Sequence, residues 1–255
     1  MFKELYNYRE LLRTNVKKEI RGKYKGSFLG VLWSFVNPLL MTLVYAIVFP
    51  FLLRSTTPHY VTYLVIGILP WTWFTTIIAQ GTTTFLSNAG IIKKVYFPRE
   101  ILPISVVTSG LINYLISLLI IAIFLICSGI GFSWYILYLP LIIIVQYVFS
   151  LACVFLTSSI NVYVRDAEYI INFLIQMLFY ATPILFTLDM FPARFQKFLV
   201  FNPMVTIINS YRDALFYQNM PNLKSLGIVF LACFVFLCVS YKIFKKLEKG
   251  FAEEL

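Results

Sequence analysis

The residue types that usually carry out chemistry are scarce in this 255-residue sequence. His59 is the single histidine, and the four cysteines, at positions 127, 153, 233 and 238, lie in apolar stretches without histidine partners. Metal ions need such side chains in clusters of characteristic spacing, so we interpret the cysteines as small apolar residues. The sequence also has no G-x-x-x-x-G-K-[ST] motif that would hold nucleotide phosphates. We therefore predict no catalytic residue, no metal site and no cofactor in this chain.

One short loop instead combines residue types that suit a docking site. The run Ile-Ile-Lys-Lys-Val-Tyr-Phe-Pro-Arg-Glu occupies residues 91–100, between two long apolar stretches. A loop that is merely solvated does not need Val95, Tyr96 and Phe97 together, and exposed apolar clusters with a polar rim mark interaction sites. We predict that this loop docks a cytoplasmic partner.

The composition indicates the class of protein to which these residues belong. Hydrophobic residues make up 60% of the chain and charged residues 13%, with a mean hydropathy of +0.83. A soluble domain carries about 25% charged residues, so this chain has too few charges to cover a water-soluble surface. Disorder is excluded too, because disordered chains need low hydrophobicity. An integral membrane protein remains.

Six long stretches contain no Asp, Glu, Lys or Arg, and a helix needs roughly 20 apolar residues to cross the hydrocarbon core. They are residues 28–53, 60–85, 104–127, 134–160, 169–188 and 226–241. We therefore predict an all-α integral membrane protein with six transmembrane helices. Residues 1–255 are expected to form one transmembrane domain, with spans one to five within residues 28–188 and span six at 226–244.

The basic residues predict the orientation of these spans. Most of the 21 Lys and Arg lie in the N-terminal segment, in the loops that follow the second and fourth spans, and in the C-terminal tail. Cytoplasmic loops of membrane proteins carry such an excess. Both termini are therefore predicted to be cytoplasmic.

Residues 1–25 have the pattern of an amphipathic helix. Apolar residues recur three or four positions apart at Leu5, Tyr8, Leu12, Val16 and Ile20, and basic residues occupy most of the opposite face. Such a helix lies in the membrane interface with its cations toward anionic lipid. It is expected either to serve only as a membrane anchor or to contact the cytoplasmic partner as well, and the two roles are compatible.

Residues 191–217, within the external segment 189–222, are too apolar for an ordinary external loop, and Asn202-Pro203 divides them into pieces shorter than a span. Apolar runs of about 10–14 residues are typical of re-entrant or interfacial segments. A seventh span would also place the lysine-rich tail outside. We predict a re-entrant helical hairpin between the fifth and sixth spans, with a packed external hairpin as the alternative.

The energy source is predicted to lie in another protein. Ion-coupled transporters usually place ionisable groups within the membrane, and the six apolar stretches contain no Asp, Glu, Lys or Arg. Without a nucleotide-binding motif of its own, the chain is either passive or driven by a separate subunit. A passive channel would leave the apolar cytoplasmic loop unexplained.

Several motifs, in order along nearly the whole chain, carry a family likeness. They are residues 23–33 (KYKGSFLGVLW), 37–39 (NPL), 93–100 (KKVYFPRE), 164–166 (VRD), 180–184 (YATPI), 202–203 (NP) and 211–212 (YR). In this order and spacing the sequence resembles permeases of ABC exporters of the O-antigen, capsule and wall teichoic acid group.

The resemblance implies the function and the partners. The chain would be a homodimeric permease of the bacterial cytoplasmic membrane, bound to two copies of a separate ATPase that holds ATP and magnesium. The substrate would be a polysaccharide or teichoic acid linked to a polyprenyl diphosphate lipid. Membrane lipids are expected partners, and nucleic acid is not. The alternative within this class is an ABC exporter of drugs or lipids.

The resemblance also implies roles for particular segments. The coupling helix to the ATPase would comprise Ile91, Ile92, Lys93, Lys94, Val95, Tyr96, Phe97, Pro98, Arg99 and Glu100. The external re-entrant gate would include Phe195, Asn202, Pro203, Tyr211 and Arg212. The N-terminal helix would pack beside the ATPase.

Aromatic residues within the predicted spans are candidates for the wall of a channel, because they stack on pyranose rings. They are Tyr45, Trp71, Trp73, Phe74, Tyr114 and Tyr180. The alternative is ordinary enrichment of aromatic side chains at membrane interfaces and on lipid-facing surface.

Overall fold

The computed structural model describes residues 6–22, 28, 32–53, 58–187, 190, 194, 199 and 201–255, and every regular element among them is helical. The eight longest helices of this part are α1 (Arg9–Gly22), α2 (Trp33–Leu53), α3 (Tyr60–Thr82), α4 (Ile101–Cys127), α5 (Leu139–Tyr163), α6 (Ala167–Tyr180), α7 (Pro203–Leu215) and α8 (Leu223–Leu247). Shorter helical turns cover Thr84–Ser87, Ala89–Ile92, Trp134–Tyr138, Glu248–Gly250 and Phe251–Glu254. The predicted all-α class is confirmed for the described residues.

Four helical stretches of the described residues are long and apolar enough to cross a membrane. They are Tyr60–Thr82, Ile101–Cys127, Trp134–Tyr163 and Leu223–Gly250. The chain is therefore a multi-pass membrane protein, as its composition predicts. A further apolar helix, α2, has 21 residues without a charged side chain.

Two of the predicted apolar stretches end at least six residues away from the end of their helix in the structure. The stretch 169–188 is helical only as far as Tyr180, because proline at position 183 lacks a backbone N–H and disfavours helical backbone at the residue before it. The last stretch continues past residue 241 to Leu247. Its final turns contain Lys245 and Lys246, whose charges suit the negative end of the helix dipole.

Helix α3 lies at the centre of the bundle and packs against α2, α4, α5, α6 and α7. Most of its side chains are buried, among them Leu64, Ile66 and Ile77. A Cβ atom at Gly81 would lie 2.5 Å from a methyl group of Val154, so this glycine permits the close approach of α3 and α5. Small residues have this role in membrane helix packing.

The connections lie at two ends of the bundle. The loop end holds residues 83–100, 164–166 and 248–255, and the α7 end holds residues 128–138, 181–187 and 201–222. At the loop end α1 packs against α4, and a second apolar core forms around aromatic side chains. These two ends carry most of the residues singled out from the sequence.

Candidate functional site

The predicted coupling helix, residues 91–100, is helical only at Ile91 and Ile92. Lys93 and Lys94 form a turn, and the backbone from position 95 to 98 is irregular. Proline at position 98 disfavours helical conformation at the preceding residue, which explains why no longer helix forms. We call residues 91–100 the coupling segment from here on.

The coupling segment divides into an exposed edge and a buried edge. Tyr96 is 94% exposed, and Ile91, Val95 and both lysines are exposed beside it, whereas Phe97 is only 7% exposed. Phe97 and Ile92 belong to the second apolar core, and Glu100 is 2% exposed. Pro98 and Arg99 are half-buried between these edges. Residues 95–97, which were predicted to form one apolar docking cluster, therefore do not share one surface.

The predicted interface helix is α1, and it lies on the protein itself. Val16 is buried, Leu12 and Ile20 are half-buried, and Tyr8 is exposed. The Nζ of Lys18 donates a 2.7 Å hydrogen bond to Oδ1 of Asn88, next to the coupling segment. Leu5 lies outside the described residues. The apolar face of α1 thus contacts the bundle close to the proposed docking loop.

Five of the six aromatic channel candidates line two clefts beside α2. A cleft of about 460 Å³ between α2, α3 and α6 is lined by Tyr45, Trp71 and Tyr180. A cleft of about 420 Å³ between α2, α3 and α4 is lined by Trp73 and Tyr114, whose rings stack with centroids 4.7 Å apart.

Phe74 is not among the described residues that line either cleft. Its ring is buried and stacks on Phe149 with centroids 5.2 Å apart. The α2–α3–α6 cleft also contains amide and hydroxyl side chains, those of Asn37, Thr72, Thr75 and Gln176. Aromatic faces beside amide and hydroxyl groups can stack on sugar rings and bind their hydroxyls.

The predicted gate residues lie at the α7 end. Asn202 caps α7 by accepting a 3.0 Å hydrogen bond from the backbone N–H of Met204, and its Nδ2 donates to Oγ1 of Thr182 at 2.9 Å. Pro203 occupies the first helical position, which suits its missing N–H. Tyr211 is fully buried. Phe195 lies outside the described residues.

Arg212 joins α7 to the irregular segment that follows α6. Its guanidinium donates hydrogen bonds to the carbonyls of Pro183 and, at 2.7 Å, of Ile184, and it lies 3.6 Å from the ring centroid of Tyr63. The hydroxyls of Tyr60 and Tyr63 donate to the next two carbonyls, at 2.6 and 3.2 Å. The guanidinium of Arg212 is charged at neutral pH, because arginine is not deprotonated in proteins. We call Arg212, Tyr60 and Tyr63 the Arg212 anchor.

Contacts of the C-terminal tail were missed from the sequence. Lys245 on α8 forms an ion pair with Glu100, and Phe251 is fully buried in the second apolar core. The available signal was Phe251 itself, an isolated large apolar residue in a polar tail. Among the described residues no three His, Cys, Asp or Glu side chains are grouped so that they could hold a metal ion.

A family model for the ABC-2 type transporter matches residues 10–216, which run from α1 to the end of α7. The chain belongs to the ABC-2 type transporter family. The family resemblance indicated by the sequence motifs is thereby confirmed.

Relatives of this ABC-2 chain match it over nearly its whole length. The O-antigen export system permease protein RfbA of Myxococcus xanthus is 34% identical over 257 residues, which cover 100% of this chain and 99% of the relative. A protein of the same description from Klebsiella pneumoniae is 35% identical over 248 residues, with 96% and 95% covered. The polysialic acid transport protein KpsM of Escherichia coli is 20% identical over 242 residues, with 91% and 92% covered. The similarity therefore extends beyond the family match into α8.

Proposed function

We propose that this chain is the permease subunit of an ATP-driven exporter for a polyprenyl-diphosphate-linked polysaccharide of the O-antigen type. The observation that carries the proposal is the similarity along the whole chain to proteins described as O-antigen export permeases. The lower identity to the polysialic acid transport protein favours an O-antigen type of polymer over polysialic acid. An exporter of drugs or lipids is the alternative that the experiment below separates.

In this proposal six spans cross the membrane, with α2 and α6 added to the four long helices. Helix α6 has 14 residues, about 21 Å at 1.5 Å per residue, and a bilayer core is about 30 Å thick. The irregular residues 181–187 complete its crossing. Non-helical backbone is tolerated at this depth only where protein groups satisfy it, and the Arg212 anchor binds four consecutive carbonyls there.

In the proposed topology the loop end lies in the cytoplasm and the α7 end lies outside. This topology agrees with the excess of lysine and arginine in the segments of the loop end. Helix α7 is then the second arm of an external re-entrant hairpin that covers the outer end of the bundle. Asn202 and Arg212 hold this arm to the end of α6.

We further propose that two copies of the chain enclose the channel. Helix α6 contacts only α3 and α5 extensively within the described residues, and it exposes Tyr169, Phe173, Met177 and Tyr180. The cleft between α2, α3 and α6 lies beside this exposed face. Each copy would contribute this cleft, with Tyr45, Trp71 and Tyr180, as one wall along which sugar rings slide.

Two copies of a cytoplasmic ATPase would supply the energy and hold the ATP and magnesium. The exposed edge of the coupling segment suits its docking, since Tyr96 projects almost completely and Lys93 and Lys94 flank it. An exposed aromatic side chain with basic neighbours fits an apolar pocket with an acidic rim on the partner.

Deletion of the gene in the host of this chain tests the proposal. Surface polysaccharide should disappear, and the polyprenyl-diphosphate-linked polymer should accumulate in the cytoplasmic membrane, as measured by labelling of surface glycans and by analysis of extracted lipid-linked glycans. Unchanged surface polysaccharide together with altered drug sensitivity would favour the alternative exporter.

Substitution of Tyr96 tests the docking surface within this function. Because hot-spot aromatics cost about 2 kcal/mol or more when truncated, Tyr96→Ala should weaken ATPase binding by about thirtyfold or more while the permease still inserts. Trp134→Ala is the matched control, since Trp134 is a comparably exposed aromatic at the α7 end. Equal ATPase binding by both variants and the wild type in detergent would contradict docking through Tyr96.

A further inference from the structure

The buried edge of the coupling segment is held by the last turns of α8. Glu100, at the start of α4, forms an ion pair with Lys245, and Tyr241 donates a 3.2 Å hydrogen bond to the same carboxylate oxygen. The second oxygen, Oε2, has no hydrogen-bond partner among the described residues. A buried carboxylate is costly unless it is paired, so Lys245 is the group that compensates Glu100.

The residue before Glu100 makes a separate contact with the tail. The guanidinium of Arg99 donates to the backbone carbonyl of Glu248, and it lies 5.7 Å from the ring centroid of Phe251. The Phe251 ring in turn lies 4.8 Å from that of Phe85, in the turn that precedes the coupling segment. The tail therefore contacts the chain just before the coupling segment, at Phe85, and within it, at Arg99.

A third contact joins the tail to the connection after α5. The hydroxyl of Tyr163 donates a 2.7 Å hydrogen bond to the carbonyl of Leu247. A Cβ atom at Gly250 would lie 2.5 Å from this hydroxyl, so glycine lets the tail pass close to Tyr163. Residues 247–251 are thus packed between the two connections of the loop end.

We propose that residues 241–251 form a tail brace that positions the coupling segment and links its displacement to α8, with Lys245 as the positioning residue. One edge of the coupling segment is exposed to the partner, and the opposite edge is bonded to α8. A displacement of Tyr96 by the partner would therefore also displace α8, which is a membrane span. Contiguous networks of packed side chains, hydrogen bonds and ion pairs of this kind can carry coupling between separated sites. The inference rests on the proposed function, because an ATPase must displace the coupling segment.

The test uses the full permease reconstituted with its ATPase in lipid vesicles. Lys245→Met removes the charge but keeps the length of the side chain, Lys245→Arg restores the charge, and Lys246→Met is the control at an exposed neighbouring lysine. We expect Lys245→Met to bind the ATPase and to leave its KM for ATP unchanged, but to export about tenfold less polymer per ATP, within the usual range of coupling free energies. Lys245→Arg should recover most of the export, and Lys246→Met should match the wild type.

A double variant separates positioning from simple stabilisation. Glu100→Gln combined with Lys245→Met removes the buried carboxylate together with its lysine and leaves only the half-buried Glu248 carboxylate without Lys245, so its unfolding temperature should return toward the wild-type value. Its export per ATP should remain low, because the link to α8 is still absent. Wild-type export per ATP in Lys245→Met or in the double variant would overturn the proposal that the tail brace links the coupling segment to α8. If the wild-type permease itself failed to bind an ATPase, the proposed function would be overturned instead.

Discussion

The two ends of the bundle attach their non-spanning segments in different ways. At the α7 end, one arginine that is 1% exposed binds backbone carbonyls, and no carboxylate among the described residues pairs with it. At the loop end, Lys245 binds the side chains of Glu100 and Glu248. A backbone carbonyl remains an unpaired acceptor whichever side chain its residue has, so no second substitution can compensate for the loss of Arg212. A side-chain partner such as Glu100 can be replaced together with Lys245. The Arg212 anchor should therefore tolerate substitution less than the tail brace.

The largest effect is expected at Arg212. Arg212→Met would leave the carbonyls of Pro183 and Ile184 without donors, and each buried unpaired acceptor costs about 1–3 kcal/mol. The loss of free energy of unfolding should be about 2–6 kcal/mol on that basis. Reversible unfolding in mixed micelles measures it.

Arg212→Lys is the informative companion to this variant. A lysine keeps the charge but lacks the planar fork that reaches two carbonyls at once, so it should recover only part of the stability. Full recovery by lysine would show that charge alone matters at the α7 end, and the contrast with the loop end would then disappear.

A smaller effect is expected where α3 passes the guanidinium. A Cβ atom at Gly67 would lie 2.7 Å from Nη2 of Arg212 and 3.5 Å from the carbonyl of Ile184. Gly67→Ala should therefore displace the anchor and destabilise the permease by about 1–3 kcal/mol, as overpacking of a dense core does.

Gly227→Ala on α8 is the matched control for Gly67, since nothing lies within 4 Å of a Cβ atom there. Alanine in a helix is favoured over glycine by up to about 1 kcal/mol, so this variant should be as stable as the wild type or slightly more stable. Equal unfolding temperatures for the two alanine variants would contradict the close packing of Gly67 against Arg212.

The sequence predicted the long helices well because membrane spans are read directly from the absence of charge. The sequence-based prediction was wrong at the ends of α6 and α8, where features other than the absence of charge determine the last helical residue. Helix α6 ends early because Pro183 interrupts it, and the carbonyls left free are bound by Arg212, which lies on a different helix. Helix α8 continues through Lys242 and Lys245 because these residues lie at its last turns, where a basic side chain is favourable.

The candidate site was predictable as a segment but not in its division into two edges. Residues 95–98 are irregular, so no helical or strand period assigns Tyr96 to solvent and Phe97 to the core. The pairing of Glu100 with Lys245 joins opposite parts of the chain, and a single sequence carries no signal for such a pair. The tertiary packing of the tail decides both features.

The smallest effect on global stability is expected at Phe251, although its ring is fully buried. Truncation of a buried phenylalanine costs about 3–5 kcal/mol when the whole core must absorb it. Residues 248–254 form only two short helical turns and can detach from the bundle without unfolding it, so the global loss should stay below about 2 kcal/mol. Phe251→Ala should instead make these turns sensitive to limited proteolysis, with Glu254→Ala, at an exposed position, as the control. A drop in unfolding temperature as large as that of Arg212→Met would contradict local detachment and would place the two ends of the bundle in one cooperative unit.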